Sequence, residues 1–372
     1  LDYNASAPIR PEARAAMLAV MDVVGNPSSI HAEGRAARAL MEEARRAVAD
    51  LAGASPKHVI FTSGGTEAGN LALTPRPEKS IDRLILSAGE HACMLRGHRF
   101  ASETVEIARL APDGQINLED LERRLAGAPT LLGLQGANNE TGVVQPVAEA
   151  AARVHAHGGL VVCDAVQIAG RTALDMGALG ADFLMLSAHK IGGPKGVGAL
   201  IASRDGLVGA ALMRGGGQER GARAGTENVL GIAGFGAAAR CARADLGSEP
   251  ARLTKLRETL EAAILAVASD AVIFGAGAPR IANTVNFAVP GVTAATLLMR
   301  LDLDGVAASS GSACSSGKVS RSHVLAAMGV DPELAGGAIR LSLGWASGVA
   351  DVERFAAVFA TAIAALRRRR VA

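Results

Sequence analysis

From residue 59 the chain alternates short apolar runs with longer helix-like ones, and this rhythm restricts the fold more than any other feature of its 372 residues. VIFTS (59–63), RLILS (83–87), TLLGLQG (130–136) and LVVCD (160–164) are strand-like. TEAGNLAL follows the first, a helix-like run through Arg99 the second, and PVAEAAARVHAHG the third. Apolar strands separated by helices suit a mostly parallel sheet covered on both faces. FLMLS (183–187) and VGALIAS (197–203) stand too close for a crossover helix, so an antiparallel pair in a mixed sheet is expected.

A helix-like stretch over 227–245 leads to DLGSEP, which reads as a boundary. Beyond it come a helix at 251–268, short strands at 283–289, 305–310 and 338–344, and a final amphipathic helix ending in four arginines. The fold class expected is α/β: a large domain over 12–246 with a mostly parallel mixed sheet, and a smaller α+β C-terminal domain made of 1–11 plus 247–372.

Several function classes are disfavoured. Net charge is +2 with both signs spread along the chain, which gives no electrostatic case for nucleic acid. No apolar run approaches the length of a membrane span. The first residues, LDYNASAPIRPEA, lack the pattern of a secretory signal. Cys93, Cys163, Cys241 and Cys314 are far apart and form no CxxC pair, which argues against a disulfide framework and a zinc site. A reducing, cytoplasmic setting and no metal are expected. His155 and His157 read as surface residues, and Arg367–Arg370 as a solvated helix end.

In open α/β sheets ligands bind at the carboxyl ends of strands. Five such ends are rich in polar groups: SGGTE (63–67), GEH (89–91), NNE (138–140), DAVQ (164–167) and SAHK (187–190). The first is either a phosphate cradle at a helix N-terminus or a tight turn with Thr66 as N-cap. Asp164 follows an apolar strand and needs a cationic partner if buried. Lys190 can serve as an amine nucleophile or form a salt bridge. Each has a bland alternative when taken singly. Together with His91 as a ring-stacking group, they meet the requirements for binding pyridoxal phosphate.

The motifs LDYNASAP, GNPSSIH, FTSGGTEAGNLAL, ANNETGVVQP, DAVQ, SAHKIGGPKGVGAL, GGGQERGARAGTENV, SSGSAC and IRLSLG occur in this order. The chain closely resembles the cysteine desulfurases of the fold-type I, class V aminotransferase-like group of pyridoxal-phosphate enzymes. The resemblance implies that Lys190 is the Schiff-base lysine, that Asp164 pairs with the pyridinium nitrogen, and that His91 stacks on the ring and moves protons. It implies that Asn139 and Gln167 meet the phenolic oxygen, and that Gly65, Thr66, Ser187 and His189 hold the phosphate. Thr226 would reach that phosphate from a second subunit, which makes a homodimer part of the site. Asn26 and Arg340 would grip the substrate carboxylate.

Cys314 lies in SSGSACSSG (309–317), among serines and glycines. The resemblance makes it the nucleophile that takes sulfur from L-cysteine as a persulfide, leaving alanine, and then passes it to a sulfur-acceptor protein of iron–sulfur cluster assembly or another thiolation pathway. The other three thiols read as structural. The alternatives are a selenocysteine lyase or a class V aminotransferase and, from another class, a non-catalytic partner that docks on a scaffold. Cys314 argues against a plain transaminase, and intact Lys190, Asp164, His91 and Cys314 argue against a non-catalytic role.

Overall fold

The structure, a computed structural model, describes residues 1–310 and 321–371. Its main sheet contains β1 (Val59–Thr62), β2 (Arg83–Ser87), β3 (Val105–Ala108), β4 (Thr130–Gln135), β5 (Leu160–Asp164), β6 (Phe183–Ser187) and β7 (Gly198–Ala202), in the order β1-β7-β6-β5-β4-β2-β3. β3, β2, β4, β5 and β6 are parallel to one another, while β7 runs antiparallel to both β6 and β1. Every strand of this sheet except β7 therefore points its carboxyl end to the same edge, and the β6–β7 pair has the expected sense.

β4 to β7 are buried along their whole length, as their apolar composition requires. One face of the sheet packs against the helices Ala32–Leu51, Val147–Ala156 and Val229–Asp245. The other face is covered in part by the helix Gly65–Ala72. The helices at 32–51 and 229–245 lie so close that a Cβ on Gly236 would stand 2.6 Å from the Cα of Ala44.

Two expectations fail locally. The helix after β2 is only Ala92–Leu95, and β3 follows at the sheet edge where no strand was expected. VEIA is short and half exposed, so it lacks the fully apolar signature of its neighbours.

A second, antiparallel sheet holds β8 (Val272–Ile273), β9 (Thr284–Ala288), β10 (Ser309–Ser310) and β11 (Ile339–Ser342), in the order β10-β11-β9-β8. The N-terminal segment joins it through a parallel bridge between Asp2 and Ser342. Helices Glu249–Val267, Ala294–Leu303 and Val349–Val371 cover this sheet. Phe287 packs edge-on against Phe359, and Phe355 stacks on Phe359 with ring centroids 5.2 Å apart. Burying each such ring contributes about 1.5–3 kcal/mol. Among the described residues no helix is long and apolar enough to cross a membrane.

Candidate active site

A cavity of about 530 Å³ opens at the carboxyl edge of the main sheet. All five polar strand ends reach it, which brings together Gly65, Thr66, His91, Asn139, Asp164, Gln167, Ser187, His189 and Lys190, with Arg340 arriving from β11. Asn26 and Thr226 are exposed elsewhere, and Asn26 Oδ1 accepts a hydrogen bond from the Ser28 amide at 2.9 Å. Cys314 lies outside the described residues.

One end of the cavity is built by the turn from β1 into the helix Gly65–Ala72. Its N-cap is Gly64 rather than Thr66, so Thr66 lies within the first turn. Gly198 begins β7 between Thr62 and Ser187, and a Cβ there would stand 2.5 Å from the Gly64 carbonyl carbon and 2.6 Å from Leu186 O. Only glycine lets the strand pass this close. The result is an eight-residue helix whose N-terminus faces the cavity, a favourable place for an anion.

Asp164 ends β5. Its Oδ1 accepts from the Val166 amide at 2.9 Å, and burial pushes its carboxyl up to about 6 against the opposing pull of Val166 and Lys190. Among the described residues no cation stands at ion-pair distance from it, although Lys190 is near enough to favour its charged form. Glu90 lies deeper still and, buried and near Asp164, is held well above the carboxylate range. Its Oε1 accepts from the Gln135 amide at 2.8 Å, while Oε2 is buried without a partner among the described residues.

Lys190 sits in a short 3-10 turn after β6, and its Nζ donates to the carbonyls of Asn4 at 2.6 Å and Ala5 at 2.9 Å. His91 caps the helix Ala92–Leu95, its Nδ1 accepting from the Cys93 amide at 3.2 Å. That bond assigns the proton of the neutral ring to Nε2. Burial and the nearby Lys190, His323 and Arg96 bring the His91 pKa down to about 4, so the ring is neutral at physiological pH. His189 is likewise lowered to about 4 by burial, Lys190 and Lys195.

Arg340 is buried, with Nη2 2.8 Å from Asp2 Oδ1 and Nη1 3.1 Å from Asn139 O. Sequence reasoning gave no role to Asn4, yet it is 1% exposed and uses every polar group it has. Its side chain donates to Asn139 O and Thr284 Oγ1 and accepts from Asn283, while its amide donates to Ser342 Oγ. LDYNASAP carried that signal only as part of a motif. Cys93, read as structural, also lines the cavity.

The Aminotransferase class-V family model matches residues 1–355. The chain belongs to the class-V aminotransferase family. Within it the chain is 40% identical to the IscS-like cysteine desulfurase of Mycobacterium tuberculosis, over 100% of this chain and 98% of that protein. It is 42% identical to a cysteine desulfurase of Cereibacter sphaeroides, over 99% and 96%. A solved NifS-like protein from Rickettsia africae superposes with a TM-score of 0.88 at 34% identity, covering 98% of each chain.

This class-V chain is a pyridoxal-phosphate-dependent cysteine desulfurase. Its cavity fits that cofactor on its own chemistry: a helix N-terminus that would suit the phosphate, a buried carboxylate with no ion pair among the described residues that would suit the ring nitrogen, and a lysine amine.

Proposed function

We propose that this cysteine desulfurase acts on L-cysteine as a cytoplasmic homodimer, carries the sulfur as a persulfide on Cys314, and delivers it to an acceptor protein of iron–sulfur cluster assembly or another thiolation pathway. The observation that carries the reading is the convergence of Asp164, Lys190 and Arg340 on one cavity. A ring-nitrogen site, an amine and a carboxylate clamp are the set an amino-acid substrate needs.

Pyridoxal phosphate, when bound, supplies an electron sink for bonds to the substrate's α-carbon. The chain supplies the rest. Asp164 holds a proton on the ring nitrogen; Gly65, Thr66, Ser187 and His189 hold the phosphate, joined by Thr226 of a second subunit. Asn139 and Gln167 meet the phenolic oxygen. Lys190 anchors the cofactor and moves the substrate's α-proton. His91 lies against the ring and exchanges protons through Nε2. Arg340 takes the substrate carboxylate with its planar fork; Asn26, exposed outside the cavity in one chain, would join it only by a movement of its loop or from a second subunit.

Cys314 then attacks the substrate sulfur. An S–S bond forms as the Cβ–S bond breaks, its electron pair stays on the carbon, and a proton completes the methyl group of alanine. The enzyme thiol and cysteine thus become an enzyme persulfide and alanine.

The same reading assigns 12–246 to a large cofactor-binding domain, and 1–11 plus 247–372 to a small domain carrying Cys314. Two separate sheets, each with its own apolar cluster, support it.

The experiment is sulfide and alanine release from L-cysteine with a reductant, comparing wild type with Cys314→Ala and recording the visible absorbance of each. Product release by wild type, and a variant that stays yellow yet releases no sulfide, is the expected result. Equal activity in the two would remove Cys314 from the mechanism.

A further inference from the structure

Gln167 lines the cavity, and its amide is gripped from behind. Arg171, one helical turn later in sequence, donates through Nη1 both to the Gln167 backbone carbonyl at 3.1 Å and to the side-chain Oε1. On the other side Gln167 Nε2 donates to Asn4 O at 3.2 Å. A guanidinium can only donate and a carbonyl can only accept, so the amide has one orientation available. Oε1 faces Arg171, and Nε2 keeps one N–H for whatever occupies the cavity. A side chain that could otherwise present either a donor or an acceptor is fixed as a donor.

Arg171 is an unusual residue to spend on this task. It is buried and makes no ion pair among the described residues. Burial and the neighbouring Arg340 bring its guanidinium down to about 9. A cation placed without a carboxylate gains from an anion nearby. Gln167, which Arg171 holds, lines the cavity, while Arg171 itself does not.

We propose that Arg171 is a positioning residue that locks Gln167 as a hydrogen-bond donor and adds positive charge behind the anionic phenolic oxygen of pyridoxal phosphate. This rests on the reading that Gln167 meets that oxygen. Arg171 touches neither cofactor nor substrate and acts through Gln167. The other charged or titratable groups lining the cavity among the described residues are Glu67 in the helix Gly65–Ala72, His91 and Cys93 after β2, Asp164 from β5, His189, Lys190 and Lys195 after β6, and Arg340 from β11. All remain in place when Arg171 is replaced.

The sign follows from charge. Without the cation and the fixed donor, negative charge on the phenolic oxygen is less stabilised, and a proton close to it is held to higher pH. Arg171→Met should raise the pH midpoint of the bound cofactor's visible absorbance by about half a unit or more. It should also weaken cofactor binding about tenfold, the loss of roughly one buried hydrogen bond. Arg171→Lys keeps the charge and should recover most of the midpoint while leaving the amide less well held.

The test is an absorbance titration and a cofactor dissociation constant for wild type, Arg171→Met, Arg171→Lys, Gln167→Leu and the Gln167→Leu/Arg171→Met pair. The expected result is a raised midpoint in Arg171→Met that persists in the Gln167→Leu background, where the charge is lost alike, and an affinity loss that largely disappears there as an added effect because the amide to be held is gone. If Gln167→Leu leaves midpoint and affinity unchanged, the reading of Gln167 fails. If Gln167→Leu shifts them and both Arg171 variants titrate as wild type, the Arg171 proposal is overturned. An Arg171→Met chain that does not fold leaves the decision to Arg171→Lys: weaker binding than wild type supports the lock, and unchanged binding sinks it.

Discussion

The Nζ of Lys190 lies 2.6 Å from the carbonyl oxygen of Asn4, and the same oxygen accepts from Gln167. One backbone carbonyl thus places two groups of the cavity. Asn4→Ala removes the side-chain bonds that fix this carbonyl and leaves Asn283 Nδ2 and Thr284 Oγ1 with fewer partners. A loss of about 2–4 kcal/mol is expected, read by chemical denaturation, together with weaker cofactor retention on dialysis.

Lys190→Ala should abolish turnover of L-cysteine by a factor of about 10³ or more. Reduction with borohydride in the presence of pyridoxal phosphate, followed by mass spectrometry, should label wild type and not the variant. Equal labelling would place the amine elsewhere.

Asp164 gives a pH dependence with a definite sign. Its folded value of about 6 lies above the ordinary 3.8, so the cofactor-free fold binds this proton more tightly than the unfolded chain does. The associated stability is whole below pH 3.8 and lost as pH rises through 6, about 3 kcal/mol in all. Asp164→Asn should therefore melt higher than wild type at pH 7–8 when both lack cofactor, with the gap closing between pH 6 and 4. With cofactor added the order should reverse, because the amide cannot hold the ring-nitrogen proton as a carboxylate does.

Ser322 caps the helix His323–Ala327 by accepting from the Leu325 amide, and it donates to the buried Glu140 carboxylate. Burial raises Glu140 to about 7 despite that bond and the nearby Arg340. Ser322→Ala should cost about 2 kcal/mol, since a cap and the partner of a buried acid go together. Denaturation midpoints would check this, and a loss below half that value would show that the cap is dispensable.

Arg45 and Glu219 form a buried bidentate pair, with Nη1 and Nη2 each 2.8 Å from a carboxylate oxygen and the guanidinium 4.8 Å from the Phe61 ring centroid. Glu219→Ala leaves the buried guanidinium with only the more exposed Glu42, 2.9 Å from its Nε, as carboxylate partner and should destabilise by about 3 kcal/mol. The Arg45→Met/Glu219→Leu double variant should be far less costly, measured by urea unfolding.

Much of this architecture was legible because its signals are local. β4, β5 and β6 are fully buried and read as unbroken apolar runs, and the polar residues after them fell at one edge because parallel strands end together. The brevity of the 188–197 link was enough to read the reversal of β7. β3 was missed because an edge strand buries only part of its surface, and VEIA has no apolar signature to show.

In the site, Asp164 and Lys190 stood out because a charge beside an apolar strand demands a reason. Asn4 and Glu90 did not, because their importance lies in partners brought by tertiary packing, Asn139, Thr284 and Lys190 for Asn4 and Gln135 and Asp164 for Glu90; Arg171 did not because its local contact with Gln167, four residues away, matters only through the cavity that Gln167 lines. Thr66 was offered as a cap on pattern alone, and two residues of helix register moved that position to Gly64.

Asn4 is bound to Ser342 across a sequence separation of 338 residues, and to Thr284 across 280. Contacts of such span form late, because the chain between them must be ordered first. The carbonyl that holds Lys190 is therefore set only when the two ends of the protein have met. A folding intermediate with a finished main sheet would have its lysine and the glycine turn after β1 but no fixed place for the amine. Capture of the cofactor should accordingly follow the slowest phase of refolding, so the appearance of yellow colour would time the completion of the fold.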